Sequence, residues 1–154
     1  MTLFLLFLFL AIYNAGCMTT LQLQHYGIYP AVGREHFARY MRANNRAALL
    51  PTILPAVLLL VSSVALILRR PGFVGPYEAL AGLGLNLVAL LSTFVWQRPI
   101  QGRMAELGYD EANTRLLIST NWIRTIAYWL IAILGSFVFT RLMTILVTVE
   151  GRVL

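Results

Sequence analysis

The chain has no lysine, one cysteine and six acidic residues in 154 positions. Each shortage excludes something. With Cys17 alone there is no disulfide framework and no CxxC pair, so the thiol says nothing about compartment. Charged residues make up 12% of the chain against about 25% in soluble domains, and apolar residues reach 59%. A water-soluble fold could not cover that composition with polar surface, so lipid is the outer solvent. The net charge of +6 comes entirely from arginines placed between long apolar runs. No basic run interleaved with aromatics occurs, which points away from nucleic acid and toward interfacial anchoring. Nucleophile elbow, P-loop and dinucleotide fingerprint are all missing.

What is present in abundance is hydrophobic length. Four stretches, about 3–24, 47–68, 77–96 and 120–149, reach the ~20 residues that a helix needs to cross the hydrocarbon layer. Backbone groups in lipid must be bonded within their own segment, so each is predicted to be helical. The fold class is therefore all-α, an integral membrane four-helix bundle in one domain. The first stretch lacks a positive leading region and exceeds the apolar run of a secretion signal. Asn14 stands where a lipoprotein cleavage site requires an aliphatic residue, and the stretch is read as a retained helix.

Arginine placement gives an orientation. Arg34, Arg39, Arg42, Arg46, Arg98, Arg103 and Arg115 fall in the first and third connections; Arg69, Arg70, Arg141 and Arg152 fall on the other side. The positive-inside rule puts the first group in the cytoplasm of a bacterial cell, with both termini outside the inner membrane. Arg69 to Pro76, dense in Pro and Gly, predicts a tight turn. Phe37, Tyr40 and Met41 at i, i+3, i+4 predict a short amphipathic helix in the first connection. Pro30-Ala31-Val32-Gly33-Arg34 also matches Pro99-Ile100-Gln101-Gly102-Arg103, and the same offset pairs Tyr40 with Tyr109 and Asn44 with Asn113. Tandem duplication of a two-helix unit and coincidence both account for this match.

Polar residues in lipid are expensive and face the bundle interior. Gly82, Asn86, Ala89 and Thr93 form one small, polar face; Asn121, Thr125, Tyr128, Ala132 and Gly135 form another. Such faces permit close helix approach, with side-chain amides bonding across the contact. A second set gathers at the arginine-rich end: Gln22, His25 and Tyr26, then Asn44 and Arg46, then Trp96, Gln97 and Arg98, then Asn121 and Arg124. Belt chemistry explains the aromatics and arginines there but not the amides. Gln22, Tyr26, Asn44, Arg46 and Trp96 are the candidate ligand-binding residues of a pocket. His25 is the candidate general base, since it alone in the cluster titrates near neutrality. Asn121 and Arg124, one helical turn apart, address the same space. Arg124 is expected to point inward toward His25, covered by a loop carboxylate or a bound anion. No metal site is expected, since neither HxxxH nor Glu-x-x-His occurs. Axial ligation of haem through His25 has one histidine in its favour and nothing else, and no cofactor is assigned.

His25-Tyr26-Gly27-Ile28-Tyr29-Pro30 with Phe37-x-x-Tyr40, and Asn121-Trp122-Ile123-Arg124-Thr125, resemble the end of the first helix and the start of the last in a family of small bacterial four-helix membrane proteins. These belong to, or border on, the uncharacterised superfamily that includes the fungal anthrone oxygenases. The resemblance spans nearly the whole chain, through short motifs and hydropathy. It implies cofactor-independent oxidation of an aromatic polyketide, with His25 as base and Asn121 and Arg124 holding an oxyanion. Without a convincing catalytic constellation, the leading expectation is an accessory or structural subunit packed in a larger membrane assembly, with lipids and other subunits as partners. The alternatives are an anthrone-oxygenase-like enzyme, or a protein binding a lipid or an aromatic, quinone-like molecule.

Overall fold

The computed structural model describes residues 1–150, with side chains to residue 148; Arg152, counted above for orientation, lies outside the described residues. The chain is all-α. Five helices are α1 (Thr2–Val32), α2 (Phe37–Ala47), α3 (Leu49–Leu68), α4 (Pro76–Leu107) and α5 (Glu111–Glu150). Helices α1, α3, α4 and α5 are long and apolar enough to cross a membrane. They form an up-down-up-down ring in which each packs on two antiparallel neighbours, in the order α1, α3, α4, α5.

Three of these helices outrun the apolar stretches that mark them, because helix ends are set by caps and glycines rather than by hydropathy. Asp110 accepts the Asn113 backbone N–H on Oδ1 at 2.6 Å, so α5 begins well before its apolar run. Gly33 and Gly108, at φ +77° and +90°, stop α1 and α4 in a conformation that a side chain would resist. Gly102, which the sequence match pairs with Gly33, instead lies inside the helical segment Arg98–Leu107. Local structure does not follow the match there.

In the core, Phe4, Phe7, Ala11, Ala15 and Met18 of α1 meet Leu59 and Leu66 of α3 and Ala127, Tyr128 and Ile131 of α5. The two small-residue faces are filled within the chain. The Phe7 ring covers Gly82, where an added Cβ would sit 3.3 Å from it. At Gly135 the added carbon would meet Leu8 at 3.0 Å. The amphipathic α2 folds back onto α4, with Phe37 and Met41 fully buried against Ile100 and Met104. Arg42 Nη1 donates to the Ala105 carbonyl at 2.7 Å, satisfying a carbonyl near the end of α4.

At the opposite end the tight turn is tied to α5. Arg141 donates to both Glu78 oxygens, at 2.7 and 2.8 Å, and to the Phe73 carbonyl at 2.7 Å. Glu78 also accepts the Gly75 N–H. Glu78→Ala is expected to lower stability by about 1–2 kcal/mol, the part-exposed arginine limiting the loss. Thermal unfolding in detergent is the measurement; an unchanged midpoint would show that the turn does not depend on this pair.

Candidate functional site

Three of the four long helices contain one over-wide turn, and all three turns line the same end of the bundle. They are Leu21–His25 in α1, Leu49–Ile53 in α3 and Thr93–Gln97 in α4. In each the backbone N–H bonds five residues back, as from Tyr26 to Leu21, Leu54 to Leu49 and Arg98 to Thr93. Each lies at or just before a proline. Pro51 falls within its turn, while Pro30 and Pro99 crowd the carbonyls of Tyr26 and Val95, four residues earlier. Turns of this kind re-aim side chains and recur at functional sites.

Arg124 of α5 is the centre of what they surround. Its residue surface is 6% exposed, and its partners are all neutral. Nε donates to Asn121 Oδ1 at 3.0 Å. Nη2 reaches the same oxygen, the Tyr26 hydroxyl at 3.3 Å and Gln97 Oε1 at 3.4 Å. Asn121 is fixed in turn by donating to Gln22 Oε1 at 2.7 Å, and Gln22 donates to the Ile118 carbonyl. Gln97 donates to Thr120 Oγ1 at 2.8 Å and to the Leu117 carbonyl. Nη1 carries two hydrogens and has one acceptor, Thr93 Oγ1, at 3.5 Å. Among the described residues no carboxylate lies within ion-pair distance of Arg124. The nearby loop acids are used elsewhere: Asp110 caps α5 and Glu111 faces Arg115.

Two cavities meet at this guanidinium, and Thr52, Ile53, Thr93, Arg98 and Arg124 line both. The smaller, about 60 Å³, is the more polar of the two and includes His25, Tyr26, Asn44, Asn45 and Gln101. The larger, about 250 Å³, runs between α3 and α4 and is mostly apolar, with Met18, Ala56, Val57, Leu60, Leu90 and Phe94 in its wall. His25 Nε2 is buried without a hydrogen-bond partner among the described residues. Its ring stands edge-on to Tyr29, centroids 5.3 Å apart, within a cluster that continues through Tyr40, Phe37 and Tyr109. Burial pushes the Tyr40 phenol above its ordinary pKa.

The structure thus brings His25, Gln22, Tyr26, Asn44, Asn121 and Arg124 to one place, with Arg124 inward and sharing a cavity with His25. No loop carboxylate covers it. Arg46 and Trp96 do not join the group: both are exposed and line neither cavity, the over-wide turn having directed Gln97 inward and Trp96 out. Thr52 has no signal of its own in the sequence, while Gln97 and Arg98 stand in the polar cluster and Thr93 on the small polar face without being assigned to the site. The prolines at 51 and 99 were the available signal, since each marks a helix that cannot keep regular phase. Among the described residues no three His, Cys, Asp or Glu side chains converge as metal ligands.

Asn121→Ala removes two acceptor contacts from a buried cation and is expected to cost about 1–3 kcal/mol. Arg46→Ala, at an exposed position, should stay within about 0.5 kcal/mol of wild type. Thermal unfolding of the two variants side by side checks the network; equal effects would dissolve it. In comparisons with known proteins, no family model, no curated protein and no solved structure matches the chain.

Proposed function

We propose that the protein binds an organic anion inside the membrane bundle, with Arg124 as its charge partner. One observation carries this: a permanently charged guanidinium is buried among neutral groups, and its one under-used edge opens on two cavities. Arginine does not give up its charge in a protein, so the charge has to be answered from outside the chain. The accessory-subunit reading drew on the small-residue faces, and Phe7 and Leu8 fill those faces from within. Native mass spectrometry after purification in mild detergent tests the reading. An acidic molecule should accompany wild type at about one equivalent and be lost from Arg124→Gln; equal occupancy of the two proteins, or none in either, would refute it.

A second reading keeps the same site and adds chemistry. His25, which lines the cavity shared with Arg124 and whose buried Nε2 has no partner among the described residues, supports the oxygenase that the resemblance to anthrone oxygenases implies. His25 would take the proton from an anthrone, Arg124, positioned by Asn121, would hold the enolate oxygen, and dioxygen would convert the methylene to a carbonyl with release of water. Oxygen uptake with an anthrone should then vanish in His25→Ala while thermal unfolding stays near that of wild type. Uptake that persists in that variant, or is absent in wild type, removes the enzyme reading and leaves binding intact.

The arginine count further supports a site at the cytoplasmic end of a bacterial inner-membrane protein. With Cys17 replaced by Ser, Ala31→Cys and Gly102→Cys should be labelled by a membrane-impermeant maleimide only after the cytoplasmic side is opened. Labelling of intact cells would reverse the orientation.

A further inference from the structure

The larger cavity says what kind of anion the site takes. It begins at Arg124, Thr93 and Thr52 and runs toward the middle of the bundle, reaching Asn86, Leu60 and Tyr128. At about 1.5 Å per residue, the stretch from Thr93 to Asn86 covers about 10 Å along the axis. Polar groups cluster at the Arg124 end, and beyond them the wall is mostly hydrocarbon, with Asn86 and Tyr128 at the far end. Two of its wall residues, Val57 and Phe94, are also large exposed apolar side chains on the outer faces of α3 and α4. The mouth therefore faces lipid.

The second cavity at the guanidinium is the smaller, about 60 Å³, and leaves room for a compact head such as a carboxylate. A carboxylate oxygen can take the Nη1 hydrogen that is left over, as a charge-assisted bond; Thr93 Oγ1 accepts the other Nη1 hydrogen and gives its own to the Ala89 carbonyl.

We infer that the ligand is a long-chain carboxylate, a single-tailed fatty acid, which enters sideways from the bilayer between α3 and α4. Its head lies at Nη1 of Arg124 and its chain fills the cavity beside Ala56, Leu60 and Leu90. This rests on the anion-binding reading above and narrows it. Arg98, exposed at the mouth and lining both cavities, attracts the head before it reaches Arg124. The widened turns in α3 and α4 flank the entrance and keep the two helices from closing over it.

The full chain in phosphatidylcholine vesicles, irradiated with a stearic acid bearing a diazirine midway along its chain, tests this. Peptide mapping should place the label on the wall between Ala56 and Leu60 and between Leu90 and Phe94. Excess palmitate should reduce labelling at least tenfold, and the corresponding alcohol should not. Arg124→Gln and the cavity-filling Ala56→Phe should each reduce it at least tenfold, with gel filtration confirming that both remain folded. Label scattered over the lipid-facing positions Leu80 and Leu87 and indifferent to palmitate would overturn the inference. So would loss of label in Ala56→Phe with retention in Arg124→Gln, since the head would then not be held by Arg124. If native mass spectrometry shows an Arg124-dependent anion that is not a long-chain carboxylate, the binding reading stands and this inference falls. If Arg124→Gln changes neither the co-purified molecule nor the label, both fall.

Discussion

A positive charge that cannot be neutralised, held where water is scarce, is the constraint around which one end of this bundle is organised. Burying a guanidinium costs several kcal/mol unless its donors are met. Here α1 offers Tyr26, α4 offers Thr93 and Gln97, and α5 offers Asn121, itself steadied by Gln22. Neutral acceptors satisfy hydrogens but do not cancel charge. The arrangement therefore holds Arg124 in place while leaving its field intact, which is the condition for attracting an anion rather than for maximising stability.

The two ends of the molecule show the contrast. Arg141 meets Glu78 through two oxygens and also holds the Phe73 carbonyl, so its charge is cancelled and used to close a turn. Arg124 is the more deeply buried and has no such partner among the described residues. Two arginines on one helix thus serve different purposes, and what separates them is the acid that one has and the other lacks.

Much of this was legible in the sequence because it follows from period and polarity. Hydropathy marks the four long helices, the spacing of Phe37, Tyr40 and Met41 marks α2, and the one-turn separation of Asn121 and Arg124 predicts their contact. Reading the polar residues as a cluster at one depth likewise found Gln22, His25 and Tyr26. The failures have separate causes. Counting at 3.6 residues per turn cannot say whether Trp96 or Gln97 faces inward once the turn containing them is over-wide. The partnership of Glu78 with Arg141 was hidden for another reason: it joins residues far apart in the chain, and no local pattern encodes it. Exposure of Arg46 follows from α2 docking through Phe37 and Met41, which turns the opposite face outward.

The over-wide turns also mean that the site is stored partly as chain length. Each such turn absorbs one residue more than a regular helix would carry between the core and the polar end. A chain without that residue would close the turn to a regular one and keep the side chains beyond it in nearly the same phase. A one-residue deletion in the regular helix, by contrast, rotates everything beyond it by about 100° about the axis. Gln97 would then leave the guanidinium, and a neighbour facing lipid would take its place. A related chain can therefore share every polar residue of this end and still lack the site, unless Leu21–His25, Leu49–Ile53 or Thr93–Gln97 takes up the change in length.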